Sequence, residues 1–394
     1  MAIYLDHAAT TPLRHEALEA MLPYLGGAFG NPSSAHSFGR VARNALDEAH
    51  ERLATSLGGS AREIVITSGG TEANNLAIKG AAWAGKARGH RLVTSAVEHH
   101  AVGHAMRHLE KFGFEVVEVP VDRDGRVDPD ELDAAVDDRT ILVSVMLANN
   151  EVGTIQPVRA IAERVRARRG ILFHVDAVQA APTLDLDVGE LGADLVTISA
   201  HKFEGPKGVG ALWIRRGTQL LAQVHGGSQE RHRRAGTENV AGAVGMAVAY
   251  ECACADRPPT AIRLRALQAR LAAACLAVDG VEMTGHPTER LPGLLSLRVR
   301  GADGVAISVA LDLDGIAAST GSACSTGSPE PSHVLTAMGY TDAEARGALR
   351  LSMGRATTDA EVGEACFVVP RVIAEIRDGS AAQAADPLGV RLGA

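Results

Sequence analysis

HVDAVQ at 174–179 and SAHKFEGPKGVG at 199–210 decide the reading of this chain. Each closes a run with strand character, GILFHVDA (170–177) and ADLVTISAHK (193–202). If both strands lie in one sheet, Asp176 and Lys202 share an edge of it. A carboxylate that keeps a ring nitrogen protonated, beside a lysine able to form a Schiff base, is what a pyridoxal phosphate site requires. Asp and Lys at strand ends also occur as solvated loop residues, so the rest of the chain must separate the two readings.

Working outward, strands and helices alternate from about residue 60 to 215. REIVITSG, HRLVTSA, FEVVEVPV and TILVSVMLA read as strands. Between them TEANNLAIKGAAWAG, HHAVGHAMRHLEKFG, LDAAVDDR and VRAIAERVRARR carry helical spacing. The pattern predicts a mostly parallel sheet covered by helices, with ligands bound beyond the carboxyl ends of its strands. The helical run NVAGAVGMAVAYECACA is expected to end at DRPPT (256–260), whose prolines mark a hinge. A smaller α+β unit should follow. We expect a large domain over 15–256, a small one from 1–14 and 261–380, and a flexible tail over 381–394.

Composition narrows the classes. The 394 residues are 46% hydrophobic and 22% charged with a net charge of −8, and no region gathers enough Lys and Arg for nucleic acid. The opening MAIYLDHAATTP lacks a charged segment followed by an apolar stretch, and no apolar run approaches membrane-spanning length. Five cysteines, an odd number, suit a reducing compartment. A cytoplasmic protein is expected.

TSGGTEANN (67–75) places two glycines and a hydroxyl between a strand and a helix, either an anion site or a capped turn. It lacks the GK[ST] ending of a nucleotide P-loop. NNEVGTIQP (149–157) follows another strand, and His99 closes a third. His100, His104 and His108 share a helix face, but nothing completes a ligand set, so a polar surface is expected rather than a metal site. Cys324 lies in AASTGSACSTGSPEP (317–331), small residues without apolar periodicity that read as a loop. The other cysteines fall in helical runs.

Together with YLDHAATTP (4–12), NPSSAHSFG (31–39), HGGSQERHRRAGTENV (225–240) and RLSMGR (350–355), these segments resemble the aminotransferase class V group of fold-type I pyridoxal phosphate enzymes. Within it they are most similar to cysteine desulfurases of the NifS/IscS type, over all but the last fifteen or so residues. The resemblance implies a seven-stranded-type sheet and a set of roles. Lys202 would carry pyridoxal 5′-phosphate and shuttle a proton, Asp176 would hold the ring nitrogen, and His99 would stack on the ring and act as acid and base. Asn150 and Gln179 would contact the ring hydroxyl, and Gly70, Thr71, Ser199 and His201 the phosphate. Thr237 would reach the phosphate of a second subunit, making a homodimer. Arg350, with Asn31 near it, would clamp the carboxylate of L-cysteine. Cys324 would take the sulfur as a persulfide, release L-alanine and pass the sulfur to an iron–sulfur scaffold or tRNA-thiolation protein. A selenocysteine lyase or an aminotransferase of the same group is the alternative. Glu204 departs from the tyrosine or glycine more usual at that place, a difference expected to alter the local charge near Lys202.

Overall fold

The computed structural model describes residues 2–321 and 331–385. Its larger sheet comprises β1 (Ile64–Thr67), β2 (Arg91–Ser95), β3 (Glu115–Val119), β4 (Thr140–Ser144), β5 (Leu172–Asp176), β6 (Leu195–Ser199) and β7 (Gly210–Ile214). They lie in the order β1-β7-β6-β5-β4-β2-β3. Only β7 runs against its neighbours; all other pairs are parallel.

Strand residues alternate between two apolar layers. Ile64, Ile66, Val175, Val196 and Ile198 belong to one core. Val65, Leu92, Leu142, Leu195 and Leu212 belong to the core on the opposite face. Both faces are therefore covered, which is why the strands read as continuous apolar runs instead of alternating polar and apolar positions. The helices Gly70–Gly85 and His100–Glu110 supply Leu76, Ile78, Val102 and Met106 to the second layer.

A separate core joins the chain's two ends. It is built on an antiparallel sheet of β8 (Val281–Met283), β9 (Leu294–Val299) and β10 (Ala348–Ser352). Leu295, Leu297, Leu349 and Leu351 pack there with Leu267 and Leu271 and with Val362, Val369 and Ile373. Ile3 and Leu5 enter the same core, and Ile3–Tyr4 pairs in parallel with Ile316–Ala317.

Two expectations about helix ends need correction. The prolines at 258 and 259 do not end a helix: one helix runs from Val240 to Leu276 with both inside it. Its first part buries Met246 and Tyr250 in the large core and its last part buries Leu264, Leu267 and Leu271 in the small one. Packing at both ends outweighs the roughly 3 kcal/mol that an interior proline costs a helix. At the other end, Asp359–Ala385 is helical, so helix extends past the expected start of the tail at 381. Residues 386–394 lie outside the described set.

Candidate active site

Five strands of the large sheet end at one cavity of about 320 Å³. Its lining includes Gly70, Thr71, His99, Asn150, Asp176, Gln179, Ser199, His201, Lys202 and Arg350. β5 and β6 are paired in parallel with Asp176 opposite Thr197, so Asp176 and the turn bearing Lys202 emerge side by side. Ten of the residues singled out from the sequence thus meet in one place.

Each is held by identifiable contacts. Asp176 is buried; Asn74 Nδ2 donates to its Oδ2 at 2.6 Å and the Val178 N–H to its Oδ1 at 3.0 Å. Both donors are neutral, and a buried carboxylate is stabilised far more by a cationic partner. Lys202 Nζ donates to the carbonyls of Ala8 (2.5 Å) and Ala9 (3.0 Å), which ties the N-terminal segment to this wall. His99 caps the helix His100–Glu110, its Nδ1 accepting from the Ala101 N–H at 3.1 Å. The neutral ring therefore carries its proton on Nε2. Burial, with Lys202 and Lys207 close by, pulls the His201 imidazole down to about 4, so it is neutral near pH 7.

The end of the cavity near Gly70 is shaped for an anion. A side chain on Gly70 would lie 2.9 Å from Val178 Cγ2, so only glycine leaves the helix start open. Gly69, with φ of 151°, makes the turn into the helix. The first N–H groups of a sixteen-residue helix point their dipole at this space. Gly70, Thr71, Ser199 and His201 also border an adjoining cavity of about 430 Å³.

Arg350 lies on β10, buried, at the opposite end. Its Nη2 donates to Asp6 Oδ1 at 2.8 Å and its Nη1 to the carbonyls of Asn150 (2.8 Å) and Gly321 (3.3 Å). Its Nε is buried with no partner among the described residues, which leaves one edge of the guanidinium for a ligand. Gln179 Oε1 is likewise buried and unsatisfied. Buried polar atoms in this state call for a partner that the described residues do not supply.

Three predicted residues are not gathered here. Asn31 does not line the cavity; its Oδ1 accepts from the Ser33 N–H in its own turn. Thr237 is exposed and borders neither cavity. Cys324 lies outside the described residues, though Gly321, three residues before it, lines the cavity. The Glu204 carboxylate is paired with two arginines: its Oε2 lies 2.7 Å from Arg355 Nε and 3.6 Å from Arg14 Nε.

Sequence reasoning missed Asn74, Asp6 and Glu98. Asn74 sits one turn into the helix that follows the glycine pair, the place from which a side chain reaches back over the strand ends. Glu98 is buried, its Oε1 accepting from Ser95 Oγ (2.5 Å) and the Met146 N–H (2.8 Å), and burial lifts its carboxyl to about 8. His100 is not simply a polar surface. It is half-buried, stacks on His104 and faces His333 Nδ1 at 3.2 Å, and burial with the neighbouring histidines lowers it to about 4.

Residues 3–364 match the aminotransferase class-V family. The chain belongs to that family. It is 47% identical over 379 residues to the cysteine desulfurase IscS of Methanosarcina thermophila, covering 96% of this chain and 94% of that one. It is also 47% identical over 376 residues to the cysteine desulfurase IscS of Dictyoglomus turgidum, covering 95% of each. Among solved structures, a NifS-like protein superposes with a TM-score of 0.90 at 37% identity, over 95% of this chain and 100% of that one. The fold is thus fold-type I, and class-V enzymes of this kind depend on pyridoxal 5′-phosphate. The residues present fit that cofactor: a carboxylate for the ring nitrogen, an unsatisfied Gln179 oxygen within the cavity, a lysine on its wall, and a glycine-lined helix start for the phosphate.

Proposed function

We propose that this class-V enzyme is a cysteine desulfurase that converts L-cysteine to L-alanine and carries the sulfur as a persulfide on Cys324. One observation supports this most: the cavity wall that bears Asp176, Lys202, His99 and Arg350 also bears Gly321. Three residues of chain span at most about 11 Å, so a thiol on residue 324 is within reach of the cavity.

Bound there, pyridoxal phosphate supplies an electron sink that acidifies the substrate's Cα–H and weakens its Cβ–S bond. Asp176 keeps the ring nitrogen protonated. Arg350 receives the substrate carboxylate on its open Nε edge, and Asp6 keeps the guanidinium from swinging away. Lys202 Nζ moves the proton at Cα, and His99 Nε2 exchanges a proton with the substrate thiol. The Cys324 thiolate attacks the substrate sulfur; its new S–S bond forms as the Cβ–S bond breaks, and Cβ takes up a proton to give alanine. L-cysteine plus the enzyme thiol thereby equals L-alanine plus the enzyme persulfide.

Thr237 supports a homodimer. It is exposed here, while the phosphate end adjoins a cavity that a second copy could border with its own Thr237. An acceptor protein, an iron–sulfur scaffold or a tRNA-thiolation protein, would take the sulfur onward. Cysteine usage supports a reducing cytoplasm for that traffic, and no described helix is long and apolar enough to cross a membrane.

The test is Cys324→Ala. Cofactor absorbance should persist while alanine release from L-cysteine disappears, and mass spectrometry of the parent enzyme should show one added sulfur, about 32 Da, on the Cys324 peptide. Unchanged alanine release would sink the assignment. Amino-group transfer to a keto acid without sulfur release would favour the aminotransferase reading.

A further inference from the structure

The turn that brings Asn150 to the cavity also carries a residue no catalytic role accounts for. Asn149 is fully buried, and its Oδ1 accepts from the N–H groups of Glu151 (2.8 Å) and Val152 (2.9 Å). That local bonding fixes the turn and places the Glu151 carboxyl among two other pieces of chain. Ser332 Oγ donates to Glu151 Oε2 at 2.6 Å, and both residues are buried. On its other side the same Oε2 stands 3.4 Å from where a β-carbon on Gly321 would lie. Gly321 and Ser332 bracket ten residues of sequence, among them Cys324. One carboxyl group therefore bonds one end of that segment and lies beside the other.

Each end has a second tie to the cavity wall. The Gly321 carbonyl accepts from Arg350 Nη1. Next to Ser332, His333 Nε2 bonds the carbonyl of Glu98 at 2.9 Å, immediately before His99. The ends of the segment are thus attached to the same elements that present Asn150, His99 and Arg350.

We propose that Glu151 is a positioning residue that gathers the two ends of the Cys324 segment at the cavity. The inference rests on the reading of Cys324 given above. Restricting both ends of a short segment raises the effective concentration of any group within it at a nearby target. Glu151 does not line the cavity, so its loss should slow sulfur transfer and leave the preceding steps alone.

The experiment compares Glu151→Ala, Glu151→Gln, Ser332→Ala and Cys324→Ala in the cofactor-loaded enzyme. Rapid mixing with L-cysteine reads the spectral change on substrate binding, and quenched samples read persulfide on the Cys324 peptide. For Glu151→Ala and Ser332→Ala the binding phase should stay within about twofold while persulfide formation slows by about tenfold or more, lowering kcat and sparing KM. Proteolytic cleavage between residues 322 and 331 should accelerate in both. Gln retains an acceptor oxygen, so Glu151→Gln should recover most of the rate. Normal persulfide formation in folded Glu151→Ala and Ser332→Ala enzymes, or a rise in KM at constant kcat, would overturn the proposal while leaving the Cys324 reading intact. Undiminished alanine release by Cys324→Ala would overturn both.

Discussion

Asp6 and Arg350 are 344 residues apart in sequence, yet the Asp6 carboxylate holds the Arg350 guanidinium at 2.8 Å. The arginine is almost fully buried and the aspartate largely so. Arg350 Nη2 and Nη1 are engaged while Nε is left open, so the pair presents a preset edge to the cavity. Arg350→Lys retains the charge but loses the planar fork, and KM for L-cysteine should rise by about tenfold or more. Asp6→Asn should raise KM less, because the amide oxygen still accepts a bond while losing the charge. Steady-state kinetics with cofactor occupancy held equal checks both, and an unchanged KM in Arg350→Lys would remove it from substrate binding.

Asn74 and Asp176 form a second such pair. Asn74→Ala strips a donor from the buried Asp176 Oδ2, which should cost about 1–3 kcal/mol of stability. Cofactor affinity, read by titrating the cofactor-free protein and following fluorescence, should fall with it. Asp176→Asn should lose turnover by at least about a hundredfold, since a neutral amide does not hold a ring nitrogen protonated. Equal turnover in Asp176→Asn and the parent would contradict the assigned role.

How much of this was legible in the sequence follows from the reach of each interaction. Asp176, Lys202, His99 and the glycine pair sit directly after strands whose apolar runs are plain, so their convergence could be anticipated from topology. Asn74, Asp6 and Glu151 act through partners 102, 344 and 181 residues away, and no local pattern marks an Asn or Glu for such a contact. The misplaced helix end at Pro258 and Pro259 has the opposite origin. There a strong local signal was overruled by burial on both sides of it. Helical propensity in AAQAA (381–385) likewise carried the last described helix to Ala385, past the point where apolar periodicity stops.

Glu98 should make stability depend on pH. Its carboxyl ionises near 8 in the folded protein and near 4.5 when exposed. Between those values the folded state binds more protons than the unfolded one, so stability falls as pH rises through this window. Glu98→Gln keeps the neutral shape and the acceptor for Ser95 and Met146. Relative to the parent it should gain stability from pH 5 to 8 with a slope of up to about 1.4 kcal/mol per pH unit. Urea unfolding at several pH values measures this, and parallel profiles for the two proteins would show the carboxyl to be ionised throughout.

Glu204 occupies left-handed backbone at φ of 61°, a conformation that costs a non-glycine residue about 1–2 kcal/mol. Its carboxylate is matched by Arg355 and Arg14, so little of its charge is left to act on Lys202. In Glu204→Gly the relief of the backbone should offset much of the loss, because Arg355 is partly exposed and buried Arg14 keeps its bond to Asp256. Melting temperature should move by only a few degrees, and the pH dependence of the cofactor's absorbance should be unchanged. A clear shift in that absorbance profile would mean that Glu204 does tune the lysine.

The N-terminal strap has a consequence for biosynthesis. Residues 3–8 are synthesised long before their partners: the His7 N–H bonds the carbonyl of Ser352, the Ala8 N–H bonds Ser352 Oγ, and Ile3 pairs with Ile316. Until Ser352 has been made, the strap lacks the partners that seat it against Lys202, and Arg350 itself is added only just before it. The large sheet can form during synthesis; the cavity wall is completed only after Ser352 has been added. The site is therefore assembled only in a chain long enough to contain β10, which bears both Arg350 and Ser352.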